Sequence, residues 1–316
     1  MRIGYFLACE EFTPSELLEQ ARGAEAAGFE ALWISDHYHP WIDAQGQSPF
    51  VWSMIGAISQ ACGLPVTTAV TCPTTRIHPA IVAQAAATSA VLCEGRFVLG
   101  VGTGEALNEH ILGGAWPEAP VRLEMLEEAI EVMRRLWTGR FVSHHGAYYT
   151  VQQARLYTLP DRPPPIYVSG FGPKSVDLAA RIGDGYIGSA LDGSLMRRFR
   201  DGGGGGKPAQ ASFKACFADT EDDAVRLAHE RWPTEALPGE LPQVLPSPRH
   251  FEQASRLVTP DAVRSKFVCG KDPEPHLKMI DKHARAGFDE VYVANIGPHS
   301  AGLFDLYAKS VLPALR

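Results

Sequence analysis

Eight short apolar runs recur along the chain, and the stretches between them carry helical spacing. The runs are Ile3 to Cys9, Ala31 to Ile34, Pro65 to Thr71, Arg96 to Val101, Pro165 to Ser169, Gly185 to Gly188, Ala211 to Phe217 and Glu290 to Asn295. Strands that alternate with helices favour a parallel sheet, because each helix carries the chain back to the edge where the strand began. Eight such units predict one closed (β/α)8 TIM barrel with insertions, spanning residues 1–316 as a single domain. A doubly wound sheet would need Gly-x-Gly-x-x-Gly after its first strand, and that motif is missing there.

The intervening segments carry recognisable helix signals. Thr13-Pro-Ser-Glu16 reads as a capped start and Gly28 as the stop of the first helix. Between Pro120 and Trp137, Leu123, Leu126, Ile130, Met133 and Trp137 share one face, and Glu124, Glu127, Glu131 and Arg134 share the other. Phe141 to Leu156 alternates around His145-Gly-Ala and predicts an excursion hairpin, with His144-His145 in a solvated turn. The run Asp201-Gly-Gly-Gly-Gly-Gly-Lys207 reads as a flexible linker. The Pro-rich insertion Pro233 to Pro248 reads as a lid.

Composition narrows the function. A net charge of −7 and the lack of a long basic run argue against a nucleic-acid partner. No apolar run is long enough to span a bilayer, and no signal peptide opens the chain, so a cytoplasmic protein without a membrane partner is expected. The six cysteines form no Cys-x-x-Cys pair and read as small buried hydrophobes. No His or carboxylate set has metal-ligand spacing, so no metal site is expected, and Gly-x-Ser-x-Gly is absent.

Two strand ends carry titratable groups. Val98-Leu-Gly-Val-Gly-Thr-Gly-Glu105 breaks from a buried strand into glycines and delivers a carboxylate, and Ile34-Ser-Asp-His37 ends another strand on an acid and an imidazole. In a barrel both would face the same C-terminal mouth, where chemistry resides. His37 could serve as a general base or be a satisfied surface histidine beside a capping Asp36. Glu105 could be a loop carboxylate, or a proton donor if buried in a dry mouth. Ser169-Gly-Phe-Gly-Pro-Lys174 ends the fifth strand and opens a helix whose free N–H groups could hold an anion.

Taken together, Ser35-Asp-His-Tyr-His-Pro-Trp41, Gly102-Thr-Gly-Glu-Ala-Leu-Asn-Glu109, Gly114-Ala-Trp-Pro117 and Gly183-Asp-Gly-Tyr186 resemble the luciferase-like enzymes that use coenzyme F420. Within that family the likeness is to the glucose-6-phosphate dehydrogenase and secondary alcohol dehydrogenase branch. It runs from Ile3 to about Gly188 and returns at the C-terminal helix, covering the insertion after the seventh strand poorly. The resemblance implies a bacterial-luciferase-type barrel, a homodimer, that holds an 8-hydroxy-5-deazaflavin and exchanges hydride with a small-molecule substrate. It assigns His37 as base toward the substrate hydroxyl, Glu105 as proton donor to the ring and Trp41 as stabiliser of the charged ring. His37 and Glu105 would then stand on opposite sides of one pocket. Asp36, Gly104, Asn108 and the turn Ser169, Gly170, Phe171 and Gly172 would contact the cofactor, and Ala69, Val70 and Thr71 would form a non-prolyl cis bulge behind the ring.

The resemblance also frames the substrate. Where sugar-phosphate members place a lysine, this chain has Asp192, while Lys214 matches another basic position of that group. An alcohol, ketone, imine or enone without a phosphate is therefore expected. Oxidation of a sugar 6-phosphate and an FMN-dependent monooxygenase are the competing readings.

Overall fold

The computed structural model describes residues 1–316. Its strands are β1 (Arg2–Leu7), β2 (Leu32–Ile34), β3 (Val66–Thr68), β4 (Phe97–Val101), β5 (Val142–His145), β6 (Thr150–Ala154), β7 (Ile166–Ser169), β8 (Gly185–Ile187), β9 (Ala209–Cys216), β10 (Val268–Cys269) and β11 (Glu290–Ile296). Eight of them run parallel in the order β1-β2-β3-β4-β7-β8-β9-β11, and β11 pairs back onto β1 to close the barrel. These are the eight runs read from the sequence. The two-residue β10 only extends the C-terminal part of β9.

The helices before the excursion hairpin are α1 (Pro14–Ala27), α2 (Val51–Ala61), α3 (Pro79–Leu92), α4 (Ala106–Glu109) and α5 (Ala119–Leu136). Those after it are α6 (Pro173–Ile182), α7 (Ser194–Phe199), α8 (Glu221–Arg231), α9 (Leu241–Val244), α10 (Pro248–Ser255), α11 (Pro260–Arg264), α12 (Pro273–Ala286), α13 (Ser300–Leu306) and α14 (Leu312–Ala314). Local signals decide several ends. Thr13 accepts the Glu16 N–H while Glu16 accepts that of Thr13, a reciprocal cap on α1, and Gly28 ends the helix at φ 93°.

The barrel interior is plugged at its lower end. Trp33 stacks on Tyr292 at 4.5 Å, and the Trp33 indole N–H donates to Gln210 Oε1 at 2.8 Å. Gln210 Nε2 in turn donates to Tyr292 and Glu290. Tyr167 and Ile187 complete this small apolar cluster, on which Phe6, Ala69, Val70 and Val98 rest. The interior polar groups are therefore paired rather than stranded, and the site above has a rigid floor.

Two local expectations are corrected. The glycine run is not a loose linker: residues 200–204 prolong α7 as a wide helical turn, with the Arg200 guanidinium donating to the Gly204 and Lys207 carbonyls and Lys207 donating to the Ala180 carbonyl at 2.6 Å. His144 is not in a solvated turn; it is buried between Glu128 (2.9 Å) and Arg135 (2.9 Å). Residues 233–248, read as a lid, pack their Leu237, Leu241 and Leu245 with Phe251, Ile42, Leu107 and Trp41 in a second apolar cluster over the barrel mouth.

The glycine-rich strand has little room for change. Gly100 exchanges bonds with the Thr68 hydroxyl (2.8 and 3.0 Å), and an added Cβ would collide with the Thr68 carbonyl oxygen. Gly100→Ala is expected to cost more than about 3 kcal/mol by overpacking two adjacent strands, read as a lower melting temperature or loss of soluble protein.

Candidate active site

The residues with chemistry gather at the C-terminal ends of β1, β2 and β4. His37 follows β2, and its Nε2 lies 3.3 Å from Glu10 Oε1, just past β1, and 3.5 Å from Glu105 Oε2, which precedes α4. Imidazole and carboxylate are therefore in contact and do not face each other across a pocket as expected. A flat ligand must lie beside this cluster, not between its members. Glu10 is the residue that sequence reasoning passed over, although Cys9-Glu10-Glu11 follows a strand just as Asp36-His37 does. Its other carboxylate oxygen accepts the Ser35 hydroxyl at 2.7 Å, which holds it toward His37.

Asn108 organises the cluster from below. Its Oδ1 accepts the Tyr38 and His39 backbone N–H groups (2.9 and 3.2 Å), so its Nδ2 must be a donor, and it donates to Glu105 at 3.1 Å. His37 Nδ1 lies 3.2 Å from both Asn108 Nδ2 and the His39 carbonyl oxygen. It satisfies one of them at a time. Carrying a hydrogen it donates to His39, and without one it accepts from Asn108. With hydrogen on Nδ1, a neutral His37 turns its Nε2 lone pair toward two carboxylates, which is tolerable only if one of those carboxyls holds a proton.

Burial raises the pKa of Glu105 above the ordinary carboxylate range, and Glu10 pushes the same way; His37, Asn108 and Lys214 pull against them. Close by, Trp41 lies 4.9 Å from the His37 ring, held by its backbone N–H on Gln45 Oε1 (2.8 Å) and edge-on to Phe251 at 5.1 Å.

Behind the cluster lies a second set of charges. Asp36 is buried with both oxygens engaged, one by the Thr71 hydroxyl and one by Arg76, each at 2.8 Å. The Arg76 backbone N–H donates to Glu109 at 2.7 Å, and its side chain reaches the same carboxylate at 3.5 Å. Burial alone would lower the Arg76 pKa, but Asp36 and Glu109 outweigh it and raise it. Asp36 and Asn108 thus spend their polar atoms on protein groups.

The remaining sequence-named residues line the rim. The Ala69–Val70 peptide is cis, and Thr71 bridges to Val101. Val70, Gly102 and Ser169 are neighbours: an added Cβ on Gly102 would lie 2.8 Å from Val70 Cγ2 and 3.7 Å from Ser169 Cβ. Gly104 adopts φ 79° and lies against Cys72 and Glu109. Gly170 is tied to β8 through Ile187, Phe171 is exposed, and the space above Gly172 is open at the start of α6. Asp192 does not serve as the cation's replacement: it is exposed and accepts the Ser194 backbone N–H (2.9 Å) and hydroxyl (2.8 Å) in its own turn. No group of His, Cys, Asp and Glu side chains is placed to hold a metal ion, and all six cysteines are free thiols.

Comparison with known proteins places this geometry among relatives. The chain is 34% identical, over its whole length and 98% of the relative, to the F420-dependent glucose-6-phosphate dehydrogenase of Microbacterium testaceum (strain StLB037). It is 36% identical, over 99% of its length and 88% of the relative, to the F420-dependent hydroxymycolic acid dehydrogenase of Mycobacterium tuberculosis (strain ATCC 25618 / H37Rv). Among solved structures, an F420-dependent secondary alcohol dehydrogenase in complex with an F420-acetone adduct matches with a TM-score of 0.93 and 33% identity, covering 100% of this chain and 99% of that one. These likenesses run through the insertion as well, so the resemblance is wider than the motifs indicate. The sequence profile of luciferase-like monooxygenases matches residues 1–290, and the chain belongs to that family.

Proposed function

We propose that this protein is a coenzyme F420-dependent dehydrogenase, a single-domain enzyme that exchanges hydride with a small alcohol or ketone. The observation that carries the reading is the contact of His37 with Glu10 and Glu105 on the C-terminal face of a barrel. Its relatives at 34% and 36% identity are both named as F420-dependent dehydrogenases. No helix is long and apolar enough to cross a membrane.

The residues at the mouth fit a deazaflavin. Ala69 and Val70 present a partly exposed rim resting on the apolar plug, which suits a flat ring. The open space above Gly172, at the N-terminus of a ten-residue helix, suits an anionic tail. Ala69, Val70, Thr71, Gly104 and the turn from Ser169 to Gly172 would hold it, with Asp36 and Asn108 shaping the loops behind. Bound there, the cofactor supplies a two-electron hydride acceptor or donor.

His37 takes the hydroxyl proton at Nε2 as the C–H bond breaks, because an alkoxide-like oxygen releases hydride far more readily than an alcohol. For this the imidazole carries its hydrogen on Nδ1, donated to His39. Glu10 then stabilises the imidazolium that forms. Glu105, with its raised pKa, holds a proton for the ring as negative charge accumulates there. Trp41 and Phe251 exclude water from that side.

A fluorescence titration tests the cofactor directly: F420 should bind well and FMN poorly, and tight FMN binding with oxygen consumption would indicate a monooxygenase. His37→Ala should leave F420 affinity nearly intact while lowering alcohol oxidation by about 10²-fold or more; equal losses in binding and rate would make His37 a shaping residue. In the direction of cofactor reduction Glu105 must be protonated, so the rate should fall as pH rises through its raised pKa. Glu105→Gln should slow turnover and erase that limb of the pH profile.

A further inference from the structure

The relatives differ in the charge of the substrate they are named for, and one ion pair in this chain bears on that difference. On β9, Gln210, Ser212 and Lys214 alternate with the outward-packed Ala211, Phe213 and Ala215. Gln210 bonds with Trp33 and Tyr292 inside the barrel, so Lys214, four residues on, points into the upper interior. It is level with Ala294 on β11, which pairs with Phe6 on β1. Its ammonium lies over the Trp232 ring at 5.0 Å, and that indole N–H is fixed by Glu11 at 2.7 Å. An unpaired ammonium in this position would recruit an anion. Here it is paired with Glu235, brought in by the short turn Pro233–Ala236 at the start of the insertion.

Resting on the dehydrogenase reading above, we propose that Glu235 is a specificity residue that cancels Lys214 and restricts the site to uncharged alcohols and ketones. With Lys214 neutralised, Glu10 leaves the mouth with a net negative charge even when Glu105 holds its proton. The nearby Arg76 does not offset it, being committed to Asp36 and Glu109. A phosphate-bearing substrate would have to displace Glu235 and would then still face its carboxylate, a repulsion that an uncharged alcohol does not meet. The insertion thus does more than cover the opening: it supplies the charge that decides what enters.

The test compares wild type, Glu235→Gln, Lys214→Met and the double variant. One measurement is calorimetric titration with inorganic phosphate, and the other is kcat/KM for glucose 6-phosphate relative to 2-propanol with F420. Glu235→Gln should acquire phosphate binding, and its preference ratio should shift toward the phosphate ester by about tenfold or more. The double variant should return to wild-type behaviour on both measures. Phosphate binding by wild type as tight as by Glu235→Gln, no gain in Glu235→Gln, or an equal gain when Lys214 is also replaced would each overturn the proposal. Absence of turnover in every form would count against the cofactor reading instead, while the phosphate titration still decides the role of the pair. Because Glu235 is half-exposed, Glu235→Ser serves as a second neutral variant should Glu235→Gln fold poorly.

Discussion

The geometry of the mouth depends on one buried guanidinium. Arg76 ties together three loops that have no reason to stay in register on their own: Asp36 at the end of β2, its own loop after β3, and Glu109 in α4 after β4. Two carboxylates and one cation out of water are costly unless they pair, and here the Thr71 hydroxyl and the Arg76 backbone N–H add hydrogen bonds to the ion pairs. Asp36 is followed immediately by His37, and Glu109 is preceded immediately by Asn108. Fixing the two buried acids therefore fixes His37 and the amide beside it. Asp36, which the family likeness offers as a cofactor contact, spends both carboxylate oxygens on this frame.

Above that frame, two carboxylates converge on one imidazole. His37 lies 3.3 Å from Glu10 and 3.5 Å from Glu105, so one imidazole links the two carboxylates. Burial favours the neutral acid at Glu105, and Asn108 and His37 keep that preference in check. A cluster of this kind can accept a proton from one partner and offer one to another without a large change in net charge. That suits hydride chemistry, in which a hydroxyl proton leaves as negative charge builds elsewhere.

Much of this was legible in the sequence because it is local. The eight barrel strands, the first helix cap, the amphipathic α5 and the excursion hairpin are set by short-range spacing, and each lies where its pattern indicated. His37 and Glu105 stood out because they follow strand ends, and the family motifs pointed to Trp41 and placed the cis bulge at Ala69–Val70. Pairings between distant residues were hidden. Nothing in the chain announces that Asp36 meets Arg76, that His144 is buried by Glu128, or that Lys214 meets Glu235. Asp192 was misjudged for the complementary reason: alignment to a motif says which position a residue holds, whereas its own turn decides where its carboxylate points. Glu10 was within reach, since it obeys the positional rule that singled out His37.

The stacked Trp33 and Tyr292, bridged by Gln210 and Glu290, close the lower end of the barrel with side chains that are almost wholly buried. Traffic consequently has a single doorway. Whatever settles deepest must arrive first and depart last, so the floor of the barrel imposes a sequence on the visitors above it, and a shallow occupant can detain a deeper one without ever touching it.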